Sequence, residues 1–155
     1  MNEKFMREAI RLSIWEMRRG HGGPFGAVVV RGGKIVGRGC NRVTSANDPT
    51  AHAEVVAIRA ACKRLRTHQL DDCELYTSCE PCPMCLSAIY WARVKHVYYA
   101  NTRKDAAEIG FDDDFIYREV ALPIRRRKLR MKQFMREEAL GAFAEWQRKP
   151  DRIPY

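Results

Sequence analysis

Strand, helix, strand, helix, strand: this order runs from Lys34 to Ala100 and constrains the fold more than any other feature of the chain. Lys34 to Cys40 reads as a strand and Ala51 to Leu65 as a helix. Glu74 to Thr77 reads as a short strand, Cys82 to Ala92 as a helix, and Val94 to Ala100 as a strand rich in Val and Tyr. Strands joined through a helix within one sheet run parallel, with right-handed crossovers. Ahead of them, Phe25 to Arg31 pairs naturally with Lys34 to Cys40 across Gly32-Gly33, a two-residue hairpin turn. Residues 3 to 19 place Met6, Ala9, Ile10, Ile14 and Met17 on one helical face, with Phe5 and Leu12 flanking it. The breakers Gly20-His21-Gly22-Gly23-Pro24 end that helix. Asp48 or Thr50 is expected to cap the second helix, with Pro49 in its first turn. A loop holds Asp112-Asp113-Asp114, and a short basic strand near residue 129 and a helix from about Arg136 to Gln147 close the chain. The expectation is one α/β domain over residues 1–155, with a mixed five-stranded sheet between helical layers.

A chain of 155 residues buries a sizeable core without metal or disulfide staples. Its apolar runs are too short to span a bilayer, and Met1 to Arg19 mixes charges with no signal-peptide core. A cytoplasmic location with no membrane partner follows as the expectation. Six cysteines in such a setting stay reduced, and a clustered subset points to metal binding or catalysis. The net charge of +9 is uneven, with ten Lys or Arg against four Asp or Glu from Ala121 to Tyr155. That run, headed by Arg125-Arg126-Arg127-Lys128, fits a solvated face as well as a nucleic-acid patch.

The chemistry gathers at two helix starts, His52-Ala53-Glu54 and Pro81-Cys82-Pro83-Met84-Cys85. Cys82 and Cys85 sit three apart in a first turn, on one face, where the helix dipole favours thiolate. With the nitrogen of His52 they make a one-His, two-Cys set that suits zinc and leaves its fourth position open, as in catalytic sites. Glu54, two residues past the ligand, can stay off the metal and handle protons. A redox pair is the rival reading of Cys82-x-x-Cys85, and His52 or Glu54 taken singly fits an ordinary helix start. Cys79 stands on the incoming loop rather than among the ligands. Cys40, Cys62 and Cys73 read as buried small hydrophobes, and His21, His68 and His96 as structural.

These residues carry the His-x-Glu…Pro-Cys-x-x-Cys signature of zinc nucleobase deaminases. The chain resembles the cytidine-deaminase-like superfamily over most of its length and, more narrowly, the bacterial guanine deaminases. The stretches that carry the likeness are Gly22 to Ala27, Asn47 to Glu54, Leu70 to Arg93, Ala106-Ala107-Glu108 and Gly110 to Asp113. From Ala121 to Arg148 the likeness is weak, apart from the closing Tyr155. The resemblance implies a three-layer α/β/α fold and zinc-dependent hydrolysis of guanine to xanthine and ammonia, with one zinc per chain. It also implies a homodimer that exchanges C-terminal segments. By matching position, Asn41 hydrogen-bonds the purine and Phe25 packs on its ring, while Asp113 and Tyr155 reach in from the partner chain. Asp112 and Asp114 compete with Asp113 for that place.

Two rival functions share the zinc site. A tRNA adenosine deaminase would give the basic tail a use, and a non-enzymatic zinc-stabilised RNA-binding module would need no Glu54. The Thr77-Ser78-Cys79-Glu80 and Gly110-Phe111-Asp112-Asp113 segments favour a free purine base, with nucleic acid unexpected as substrate.

Overall fold

The computed structural model describes residues 1–111 and 113–154. Two compact units divide the chain, Met1–Asp114 and Phe115–Tyr155. The first unit carries helices α1 (Glu3–Arg18), α2 (Val43–Ala46), α3 (Ala53–Leu65), α4 (Pro83–Trp91) and α5 (Arg103–Glu108). Its strands are β1 (Gly26–Arg31), β2 (Lys34–Cys40), β3 (Cys73–Cys79) and β4 (His96–Asn101).

The sheet has four strands in the order β2-β1-β3-β4. β1 pairs antiparallel with both β2 and β3, and β3 pairs parallel with β4 through the α4 crossover. Gly32 and Gly33 both take positive φ, 53° and 73°, as the tight hairpin demands. Alternation along β1 sends Val28 and Val30 to one face, where they meet Phe5, Ala9 and Leu12 of α1 together with Tyr76. Ala27 and Val29 face the other way, against Ala53, Ala57, Ile58 and Ala61 of α3 and Ile89 of α4. Helices thus cover both faces of the sheet, giving the three α/β/α layers.

Small residues bring α3 close to the edge of the sheet. A Cβ on Gly39 would lie 2.1 Å from the carbonyl oxygen of Ala53, and one on Gly37 would lie 2.3 Å from that of Ala57. The row Ala53, Ala57, Ala61 therefore packs backbone-close on β2. That contact fixes the height of the α3 N-terminus above the strand ends.

The structure corrects several sequence expectations. The fifth strand, near residue 129, does not form: residues 127–135 carry no strand in a stretch dense with arginine and lysine. α1 buries Phe5, Ala9, Leu12 and Ser13, while Ile10, Ile14 and Met17 stay largely exposed. The buried stripe is rotated because small Ala9 and Ser13 admit the close approach of Gly26, whose Cβ position lies 2.3 Å from the Ala9 carbonyl. Asp48 and Thr50 do not cap α3. The Asp48 carboxylate instead accepts from the Thr50 amide at 2.8 Å, closing a local turn, and α3 starts after His52. α2 and α5 fall in stretches read as loop. α5 opens with a capping box between Thr102 and Asp105.

The second unit holds α6 (Asp114–Ala121), which begins one residue before the division, a 3₁₀ turn at Ile124–Arg126 and α7 (Arg136–Arg148). Arg127 donates to the carbonyls of Leu122 and Val120 at 3.0 and 3.2 Å, and the Lys128 amide donates to Glu119 at 2.7 Å. These bonds fold the chain back on the end of α6. Phe134 and Leu129 are 81% and 72% exposed.

Candidate active site

His52 and Cys82 occupy equivalent places, the N-cap positions of α3 and α4. Each has extended backbone, so its side chain leaves the helix axis at the very start. Pro83 opens α4 with the φ that the first helical position needs. Both thiols stand 3.5 Å from Nδ1 of His52. One ligand atom from each of His52, Cys82 and Cys85 lies within 4.8 Å of the others. The structure thus brings together the three residues expected to bind metal. A tetrahedral zinc with bonds of about 2.0–2.3 Å sets its ligands about 3.3–3.8 Å apart, so the donor set and its spacing both fit zinc. Cys79 is turned elsewhere: its thiol donates to the Thr102 carbonyl at 3.6 Å, and burial pushes its pKa up to about 11.

Charge is arranged around this centre. A hydrogen bond from Cys85 pulls the Cys82 thiol down to about 4, with His52 adding to the effect against the cost of burial. The same bond, together with burial, pushes Cys85 up. His52 is raised, chiefly by its bond to Cys82. One thiolate is thus shared among hydrogen-bond donors, and metal binding releases the protons that hold the group together.

Glu54 is buried beside the ligands, and burial raises its pKa. Thr77 Oγ donates to one carboxylate oxygen at 3.2 Å and Cys85 Sγ approaches the other at 3.4 Å. Thr77 was not anticipated. Its signal is a polar residue at the buried end of β3, on the face that Leu75 gives to α3.

Asn41 is buried at the end of β2. Its Oδ1 accepts from the amides of Gly23 and Val43 at 3.3 and 3.2 Å. Two backbone donors on one oxygen fix the orientation of the carboxamide, whose NH₂ offers two donors. A Cβ on Gly22 would lie 2.4 Å from that Oδ1, so the glycine loop lies flat against Asn41. Phe25 packs edge-on against Phe111, with centroids 4.9 Å apart and planes at 90°. Phe111, exposed at one edge, is a second aromatic wall that sequence reading did not single out.

Asp113 stands within electrostatic range of Cys82. Burial, with the Cys82 charge behind it, raises its pKa. Of the other candidates, Asp114 opens α6, while Asp112 and Tyr155 lie outside the described residues. Glu80 accepts from the Arg103 amide at 3.0 Å and so ties the α4 approach to the start of α5.

Residues 1–101 match the profile of the cytidine and deoxycytidylate deaminase zinc-binding region. Guanine deaminase of Bacillus subtilis is 53% identical over 154 residues, 99% of both chains. The X-ray structure of guanine deaminase from that organism superposes with a TM-score of 0.97 at 54% identity, covering 100% of this chain and 99% of that one. A guanine deaminase structure from Nitrosomonas europaea gives a TM-score of 0.69 at 35% identity, over 73% of this chain and 65% of that one. A tRNA-specific adenosine deaminase of Aquifex aeolicus is 40% identical over 102 residues, 66% of this chain and 67% of that protein.

Proposed function

We infer that this chain, which belongs to the cytidine and deoxycytidylate deaminase zinc-binding family, is a zinc-dependent hydrolase that converts guanine and water to xanthine and ammonia. The observation that carries the substrate is the reach of the likeness. Identity to a guanine deaminase is 53% over 99% of the chain, whereas tRNA adenosine deaminases reach 46% over 56% of it and 33% over 86% of it. Zinc, held by His52, Cys82 and Cys85, supplies a Lewis acid that acidifies water at the site.

The geometry supports the following roles for the side chains. Guanine C2 is an amidine carbon bearing the exocyclic amine. Attack by water oxygen places charge on the ring, so a proton must reach N3 as the bond forms. Glu54 takes that proton from the water and delivers it to N3. Glu54 then takes the proton of the new C2 hydroxyl and gives it to the amine, the C2–N bond breaks with its electron pair on nitrogen as C2=O forms, and ammonia leaves. The buried setting of Glu54 suits both acts, because a raised pKa lets the carboxyl hold and release the proton. Thr77 keeps the carboxylate aimed. Asn41 donates through its NH₂ to a purine acceptor, Phe25 packs on the ring, and Asp113 accepts from ring N–H groups.

The working form in this reading is a homodimer that exchanges C-terminal segments, with Tyr155 closing the neighbour's pocket. Its support is the apolar surface left open on the second unit, where Leu129, Phe134, Phe143 and Ile153 are all mostly exposed. Among the described residues no helix is long and apolar enough to cross a membrane, and the cysteines are free thiols, which supports a cytoplasmic setting.

The test is incubation with guanine, adenine, cytosine, cytidine, guanosine and a tRNA stem-loop while ammonia is followed. Release from guanine alone is expected. Release from the stem-loop with guanine inert refutes the reading.

A further inference from the structure

A second group of side chains with metal-ligand chemistry gathers beside Asn41, at Glu16, His21 and Cys40. Glu16 stands in the last turn of α1, His21 in the turn that follows, and Cys40 at the end of β2. One ligand atom from each lies within 4.8 Å of the others. Cys40 is buried, and the side chains of Glu16 and His21 are only 17% and 31% exposed. Glu16 Oε2 and His21 Nδ1 share a hydrogen bond of 2.5 Å. The backbone holds the group in place. The His21 amide donates to the Glu16 carbonyl at 3.1 Å, and the His21 carbonyl accepts from Ser45 Oγ at 2.6 Å.

We propose that Glu16, His21 and Cys40 form a second metal site, distinct from the His52 centre, for a divalent ion of the zinc class. One carboxylate oxygen, one imidazole nitrogen and one thiolate sulfur make a mixed, borderline-soft donor set. Magnesium and calcium, which take oxygen ligands, are disfavoured there. The two sites differ in readiness. At the first, both sulfurs already stand at zinc spacing from His52 Nδ1. At the second, Glu16 Oε2 and His21 Nδ1 stand 2.5 Å apart and must open by about 1 Å to reach tetrahedral spacing. The ion must therefore break the Glu16–His21 hydrogen bond, and affinity is accordingly lower than at the first site.

Occupancy reaches Asn41 from both sides. Cys40 is its chain neighbour, and His21 adjoins Gly22, whose backbone lies against the Asn41 carboxamide. Seating the three ligands on one ion shifts both flanks of the purine-binding amide, so excess zinc raises KM for guanine. That consequence rests on the guanine reading; the binding site itself does not.

The experiment loads the zinc-replete enzyme with cobalt(II) and reads metal content and absorption. Zinc should stay at about one per chain while roughly one cobalt is taken up, with a thiolate-to-cobalt charge-transfer band in the near ultraviolet. Cys40→Ser should abolish that band. His21→Gln and Glu16→Gln should each weaken cobalt uptake at least about tenfold, with zinc retained. If Cys40→Ser fails to fold, the substitution at the less buried His21 carries the test. Absence of a second ion at millimolar cobalt overturns the site, as does uptake unchanged in His21→Gln and Glu16→Gln. Metal uptake with KM for guanine unchanged overturns the coupling to Asn41. Because uptake is read without substrate, it decides the site even for a protein inert toward guanine.

Discussion

Gly39→Ala should damage the active site by pushing α3 off the sheet. The new Cβ would meet the Ala53 carbonyl oxygen at 2.1 Å and the Ala57 amide nitrogen at 2.5 Å. Real contacts of this kind do not fall under 3.0 Å, so strand and helix must part by about 1 Å. Both partners are backbone, and no rotamer change relieves the clash. Overpacking of this sort costs about 1–3 kcal/mol, offset by about 0.4–1 kcal/mol from the stiffer unfolded chain. At roughly 2–4 °C per kcal/mol for a chain of this size, melting should fall by up to about 10 °C. The larger effect is on chemistry. Ala53 lies between His52 and Glu54, so the displaced turn is the one that carries both. A misplacement of about 1 Å costs on the order of 10²-fold in rate. Gly37→Ala is the internal control: its Cβ would meet the Ala57 carbonyl at 2.3 Å, one turn farther along α3. Xanthine formation, zinc content and calorimetric melting should be read on both variants. Comparable melting losses are expected, with kcat/KM down about 10²-fold for Gly39→Ala and by less than about tenfold for Gly37→Ala. A Gly39→Ala enzyme within a few-fold of wild type, or a Gly37→Ala enzyme that is the worse of the two, would refute the reasoning.

Glu54→Gln should lose about 10²–10⁴-fold, mainly in kcat, while zinc analysis and circular dichroism stay unchanged. Asn41→Asp keeps an oxygen for the Gly23 and Val43 amides but puts a second acceptor in place of the NH₂. Melting should hold while KM for guanine rises at least about tenfold, measured by initial rates. Deleting Tyr155 and its nearest neighbours should impair turnover and leave zinc content unaltered; a truncated chain with wild-type kinetics counts against the exchanged dimer. Acid stability has its own marker in Glu8. The Arg11 guanidinium, assisted by Arg38 and opposed by burial, holds that carboxyl down at about 2, from an ordinary 4.5. Its contribution is complete above about pH 4.5 and is lost as pH falls toward 2. In urea melts over that range, Glu8→Gln should sit below wild type at the upper end and converge with it at the lower.

Local punctuation was legible in the sequence, and tertiary choice was not. Gly32-Gly33 set the hairpin, and β2 runs Lys34–Cys40 as expected. α4, expected from Cys82 behind Pro81, starts one residue later, with Pro83 in the first helical position. The metal trio was legible because His52, Cys82 and Cys85 each take their place from the first turn of a helix, a local feature. Which stripe of α1 is buried depends on Gly26 of another element, and periodicity alone picked Ile10, Ile14 and Met17 instead. Asp48 had two uses for its carboxylate, and the nearer donor, the Thr50 amide, won. The capping box at Thr102 was present in the letters Thr-Arg-Lys-Asp but was passed over as loop. The fifth strand failed for a different reason: strand propensity near residue 129 means nothing without a neighbouring strand to pair with. Thr77 and Phe111 belong to the site only through contacts with Glu54 and Phe25 across the fold.

Placing His52 and Cys82 at helix starts also decides where this protein can tolerate change in length. The 13 residues of α3 span about 20 Å, so the turn that ends the helix at Arg66 lies that far from the metal ligands. Arg66 and His68 are exposed there, whereas Leu70 re-enters the core. A peptide spliced in beside Thr67 would lengthen a surface turn held at both ends by buried segments, at a closure cost that grows only slowly with its length. That turn is a natural attachment point for a reporter or an affinity handle. The loop from Asn41 to His52 has no such latitude, because each added residue would slide the ligand-bearing turn relative to β2.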